Sequence, residues 1–215
     1  MAKTQYLREK DEEVINSLSH AVALGLFIAG TIALTLRSWD IDPVWGVACL
    51  VYGLGQSLTY MFSTVYHIVS DPVSKKRWRL YDHISIYIAI ASTYTPLFVI
   101  GVPSPYSYIL IACVWIMAAY GIRYKYHNIG KNEFFSVALY LFLGWVGMSI
   151  FWIWDTQALT SSFDLIVLGG LVYTVGTIFY YSDYKVYFHT IWHIFVIAAS
   201  IIHFYAIWKY FLIPA

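Results

Sequence analysis

Long apolar runs separated by short polar connectors fill this chain from end to end. Seven runs can be read: Leu18 to Leu36, Pro43 to Val69, His83 to Ile100, Tyr106 to Ile122, Phe134 to Trp154, Phe163 to Tyr181 and Val186 to Ile213. A hydrocarbon core about 30 Å thick is crossed by roughly 20 helical residues, so each run has about the length of one span. The runs are continuous and lack the period-two alternation of a barrel strand. The pattern therefore predicts an all-α integral membrane protein, a seven-transmembrane-helix bundle. The connectors RSWDID, SDPVSKKRWRLY, GVPSP and RYKYHNIGKNE are too short to separate distinct domains, so residues 1–215 are expected to form one seven-helix membrane domain. Pro96 falls inside the third run, where it removes a backbone hydrogen bond and predicts a kink.

Composition agrees: 60% of the residues are hydrophobic and 12% charged, against roughly 25% charged in soluble domains. The basic residues add orientation. Lys3, Arg8 and Lys10 precede the first run, Lys75, Lys76, Arg77 and Arg79 lie between the second and third, Arg123, Lys125 and Lys131 between the fourth and fifth, and Lys185 between the sixth and seventh. Only Arg37 and Lys209 fall on the opposite side. Basic residues favour cytoplasmic loops, so the amino terminus is expected in the cytoplasm and the carboxyl terminus outside. The first run is too long for a signal-peptide core and has no convincing cleavage site, so it is expected to be retained. A net charge of +1 and the absence of a basic patch beyond these loops argue against nucleic acid as a partner. Cys49 and Cys113 both fall within runs and read as packing residues. Trp78, Tyr81, Trp152 and Trp154 fall near run ends, as in an interfacial aromatic belt.

Ionisable residues inside such runs are costly and point to function. His189 and His193 are one helical turn apart, so they share a face and suit either one metal ion or hydrogen bonds to neighbouring helices. The orientation places His67, Asp82, His83, Glu13, Asn16 and His20 at the same cytoplasmic depth. Neutral imidazoles from His67, His189 and His193 make a three-nitrogen zinc set with its fourth position open to water, the arrangement of catalytic zinc. Asp82 is then the candidate base for that water. Ser63, one turn deeper than His67, is placed to assist, or else to bond the carbonyl of its own preceding turn. Consecutive residues project about 100° apart on a helix, so with Asp82 inward His83 packs against a neighbour or reaches the interface. Glu13, Asn16 and His20 line one face of the first helix, as a second shell behind the metal ligands or as a hydrogen-bonded clamp between helices one and seven. His203 lies about 15 Å deeper than His193, too far to share an ion, and His127 sits in a basic connector where it is expected to be solvated.

The segments EVINSLSH (13–20), STVYH (63–67), YDHISIYIAIASTYTP (81–96) and FHTIWH (188–193) resemble, in order and spacing, the haemolysin III family. The likeness is to its bacterial, TrhA-like branch, within the superfamily of progestin and adiponectin receptors and, more distantly, alkaline ceramidases. The resemblance implies a seven-helix bundle in the bacterial inner (plasma) membrane and a zinc ion near the cytoplasmic leaflet. It implies His67, His189 and His193 as ligands, with Ser63 and Asp82 beside them. From ceramidase-like relatives and zinc chemistry the expected activity is zinc-dependent hydrolysis of a membrane-lipid amide or ester. The alternative is a non-enzymatic membrane homeostasis or sensor protein with structural zinc. A cytolytic pore is a third reading, but no helix carries a polar stripe along its full depth.

Overall fold

The computed structural model describes the backbone of residues 2–148, 157–182 and 185–212, and the side chains of 11–148, 162–182 and 185–209. The described residues form seven helices: α1 (Ala2–Ile41), α2 (Pro43–Ile68), α3 (Pro72–Gly101), α4 (Tyr106–Asn128), α5 (Glu133–Val146), α6 (Gln157–Tyr181) and α7 (Phe188–Leu212). No strand occurs among them. Among the described residues, five segments are long and apolar enough to cross a membrane: Asp11–Ile41, Pro72–Gly101, Tyr106–Asn128, Ser162–Tyr181 and Phe188–Lys209. α2, interrupted by glycine, serine and threonine, is outside that set, and α5 is apolar but has only 14 residues. Trp152, Trp154 and the end of the fifth run lie outside the described residues.

The sorting of side chains on α1 explains why this is a membrane protein. Leu18, Val22 and Leu26, four residues apart, are exposed on its outer face, whereas Asn16, His20, Ala23, Phe27, Thr31 and Leu34 are buried. In water such an apolar outer stripe is a liability. In lipid it is the solvated face, and polar side chains turn inward to find partners.

Several helices extend into segments that read as connectors. Only Asp42 separates α1 from α2, because its carboxylate accepts the Val44 N–H at 2.8 Å and Pro43 has the backbone angle of a first helical turn. α3 likewise starts at Pro72, capped by Asp71, which accepts the Ser74 N–H at 2.8 Å. Most of SDPVSKKRWRLY is therefore helix, and its basic residues ride on the first turns of α3. α4 continues through RYKYHN to Asn128, so His127 is an exposed helical residue. The α3 helix runs on through Pro96, which is fully buried. Cys113 is exposed on the outside of the bundle and does not pack in the core, whereas Cys49 is buried and accepts a hydrogen bond from Ser38 at 3.2 Å.

α2 lies between α1 and α3 at close range, and two glycines make room for it. A Cβ on Gly53 would collide with the Thr31 side chain of α1, and one on Gly55 with Ser92 of α3. Small residues at helix contacts let backbones approach where lipid supplies no hydrophobic drive. Behind these contacts Tyr52, Tyr60, Tyr87, Phe98, Leu34 and Ile207 form part of the buried core.

Candidate metal centre

Polar side chains from all seven helices meet at one end of the bundle. α1 brings Glu13, Asn16 and His20; α2 brings Ser63 and His67; α3 brings Lys75, Arg79, Asp82 and His83; α7 brings His189, Thr190 and His193. The rest come from α4 (Lys125), α5 (Glu133) and α6 (Tyr180). These residues lie at alternating ends of successive helices, as an up-and-down bundle requires.

At the centre stand His67, His189 and His193, whose nearest ligand nitrogens all lie within 4.8 Å of one another. The His67 ring centroid is 5.2 Å from that of His189 and 4.8 Å from that of His193, and the latter two are 4.9 Å apart. His67 and His193 are buried. Nδ1 of His67 is 2.8 Å from Oε2 of Glu13, which fixes the tautomer and leaves Nε2 with its lone pair; that atom is buried with no partner among the described residues. A buried nitrogen without a partner calls for an occupant. A carboxylate, an imidazole and an unpartnered nitrogen in line are the outer-shell arrangement of metal-ligating histidines.

The donor set therefore fits zinc in chemistry. In dimensions it is open, since two nitrogens each about 2.1 Å from one tetrahedral zinc ion lie about 3.4 Å apart. Binding would draw the most separated rings together by about an ångström.

The structure brings Asp82 and Ser63 to this cluster. The Ser63 hydroxyl and the Asp82 carboxyl lie close to each other, beside His67. Ser63 is buried and the Asp82 side chain is 16% exposed. His83 points elsewhere: Nδ1 donates to the Arg79 carbonyl at 2.7 Å, and Nε2 lies 3.0 Å from the Tyr180 hydroxyl of α6. It packs against a neighbouring helix, as the 100° step from Asp82 requires.

The three residues of α1 divide their roles. Asn16 Oδ1 accepts the Thr190 hydroxyl at 2.7 Å, and His20 stacks on His193 with ring centroids 3.7 Å apart and planes at 16°. Both tie α1 to α7. Glu13 turns instead to α2 and α3, where Lys75 Nζ joins it at 2.9 Å. His203 bonds the Ile166 carbonyl at 3.1 Å, remote from the cluster.

Sequence reasoning missed a second polar knot beside the first. Lys125, with no exposed side-chain surface, donates to Glu133 at 2.6 Å and to Ser136 at 3.2 Å. Glu133 also meets Tyr180 at 3.3 Å, which joins the knot to His83. The signal was a lysine and a glutamate close to either end of a polar connector, which reads equally well as two solvated charges.

An almost wholly apolar cavity of about 130 Å³ begins beside the cluster, where Thr59, Tyr180 and Trp192 line it, and continues between α2, α3, α5, α6 and α7.

The family of Haemolysin-III related proteins matches residues 8–204, which contain every residue of this cluster. The chain belongs to the haemolysin III family. Its similarity to Hemolysin-3 of Bacillus cereus is 31% identity over 195 residues, 90% of this chain and 88% of that protein. A Hemolysin-3 homolog of Bacillus subtilis is 29% identical over 187 residues, covering 86% of this chain and 88% of its own. The human Monocyte to macrophage differentiation factor is 32% identical over 194 residues, covering 86% and 78%. No solved structure matches. This haemolysin III family member is thus a helical membrane protein with a three-histidine cluster.

Proposed function

We propose that this haemolysin III protein is a zinc-dependent hydrolase acting on an amide or ester bond of a membrane lipid. The observation that carries the reading is the conjunction of three converging imidazoles, a carboxyl and a hydroxyl beside them, and an apolar cavity that begins nearby, at Thr59, Tyr180 and Trp192. His67, His189 and His193 would hold the ion, with Glu13 orienting His67. Zinc held there supplies Lewis-acid activation of water and of a carbonyl. Asp82 takes the proton of the attacking water and returns it to the leaving group. Ser63, close to Asp82, offers its hydroxyl to the developing oxyanion. The cavity excludes water from the tail of the lipid.

The seven helices form one domain of seven spans in the inner (plasma) membrane, with the amino terminus and the cluster on the cytoplasmic side. The distribution of Lys and Arg supports that orientation, and the matching Bacillus proteins support a bacterial membrane.

Purified protein in vesicles of mixed lipids, followed by mass spectrometry with and without chelator, tests the activity. Chelator-sensitive release of a fatty acid or a long-chain base is the expected result, and unchanged lipid in both arms across broad mixtures overturns it. A second reading, a homeostasis or sensor protein with structural zinc, is favoured by one observation: the triad joins α2 to α7 while Asn16 and His20 clamp α1 beside it. Asp82→Asn separates the two, since a purely structural ion does not need that carboxyl.

A further inference from the structure

Deep in the apolar cavity, far from the histidine cluster, two side chains carry hydrogen-bond acceptors that nothing among the described residues uses. Gln56 is 4% exposed and lines the cavity. Its Nε2 donates to the Ala89 carbonyl at 3.2 Å and to Thr93 Oγ1 at 3.0 Å. These two bonds spend the amide's hydrogens and fix its orientation, while Oε1 has no hydrogen-bond partner among the described residues. His203 lines the same cavity. Its Nε2 faces the Ile166 carbonyl at 3.1 Å, an acceptor, so Nε2 carries the hydrogen and Nδ1 keeps a lone pair, again with no partner among the described residues.

The two acceptors share one depth. Gln56 is eleven residues from His67 on α2, its partner Thr93 is eleven residues from Asp82 on α3, and His203 is ten residues from His193 on α7. At 1.5 Å per helical residue, all three helices put this polar belt about 15 Å from the cluster. Unused acceptors in an otherwise apolar cavity are costly unless a ligand donates to them.

We propose that Gln56 and His203 form a recognition point for a hydroxyl on the tail of a long-chain lipid whose polar head lies at the histidine cluster. The proposal rests on the lipid reading above and specifies the class of tail. An extended alkyl chain advances about 1.25 Å per carbon, so a depth of about 15 Å corresponds to a hydroxyl near the twelfth carbon. That hydroxyl donates to Gln56 Oε1 or His203 Nδ1, and an unsubstituted tail leaves both acceptors unpaired. A site built to hydrogen-bond a hydroxyl discriminates against the analogue that lacks it.

The test is binding to the purified full-length protein in detergent, read by displacement of a fluorescent fatty acid. The competitors are stearate, stearate hydroxylated at carbon two and stearate hydroxylated at carbon twelve. The expected result is about tenfold tighter binding of the carbon-twelve compound than of stearate, with no gain for the carbon-two compound. Gln56→Met and His203→Phe, each checked for an unchanged melting temperature, are expected to bind stearate as the wild type does and to lose some of the preference; the double variant is expected to lose all of it. Equal wild-type binding of stearate and its carbon-twelve derivative overturns the hydroxyl site and leaves the lipid reading standing. A preference that survives in the folded double variant also overturns it. Failure of all three to displace the probe overturns both the hydroxyl site and the lipid reading.

Discussion

Oε2 of Glu13 lies 2.8 Å from Nδ1 of His67. The same oxygen is 2.9 Å from Lys75 Nζ, so one carboxylate on α1 joins the end of α2 to the start of α3. Its effect on His67 is to fix which nitrogen is free to bind a metal. Loss of such an outer-shell partner typically costs 10–100-fold in metal affinity. Glu13→Gln is therefore expected to weaken zinc binding by about that factor with the fold intact, as measured by chelator competition on purified protein.

Removing a histidine acts directly. His67→Ala, His189→Ala and His193→Ala should each copurify with far less metal than the wild type, by elemental analysis of protein purified in parallel. Full metal content in all three variants would exclude the triad as the site. His20→Phe is the companion: it keeps a ring stacked on His193 and is expected to retain the metal, because His20 lies outside the group of converging nitrogens.

Asp82→Asn is nearly isosteric and removes the proton acceptor. Retained metal and melting temperature with turnover lowered by at least about 10²-fold is the expected outcome, at the lower edge of what a positioned general base supplies. The measurement is lipid turnover beside elemental analysis on the same preparation.

The Lys125 and Glu133 pair makes a different forecast. Lys125 is wholly buried, and Glu133 is its ionic partner at 2.6 Å. Removing one partner of a buried pair strands the other charge and costs about 3–5 kcal/mol. Glu133→Gln should therefore lower stability clearly, while Lys125→Met with Glu133→Gln together should recover much of the loss. Thermal unfolding in one detergent across the two single variants and the double variant gives the comparison.

Close helix packing gives a further check. Gly55→Val sets a branched side chain against Ser92, where even a Cβ has no room. A loss of stability of about 1–3 kcal/mol from overpacking is expected, read as a lowered melting temperature. The conservative change Ser92→Ala should leave stability much closer to wild type.

The sequence by itself determined the class of the molecule. Apolar runs of spanning length, with so few charges, leave helices as the only way to satisfy every backbone group in lipid. It also selected His67, Asp82, His189 and His193, because ionisable groups inside such runs are few and their depth follows from chain direction. Helix ends were less legible: capping by Asp42 and Asp71 turned connectors into first turns, since a polar segment at a membrane surface is helical or not according to local hydrogen bonds that hydropathy does not register. Only the tertiary structure decided which polar groups pair. Glu13 could have faced α7 with Asn16 and His20 but meets His67 and Lys75, and Lys125 and Glu133 lie against each other where the sequence suggests solvated charges. The unused acceptors of Gln56 and His203 were likewise invisible, because whether a polar atom has a partner depends on the helices packed around it and not on its own position in the chain.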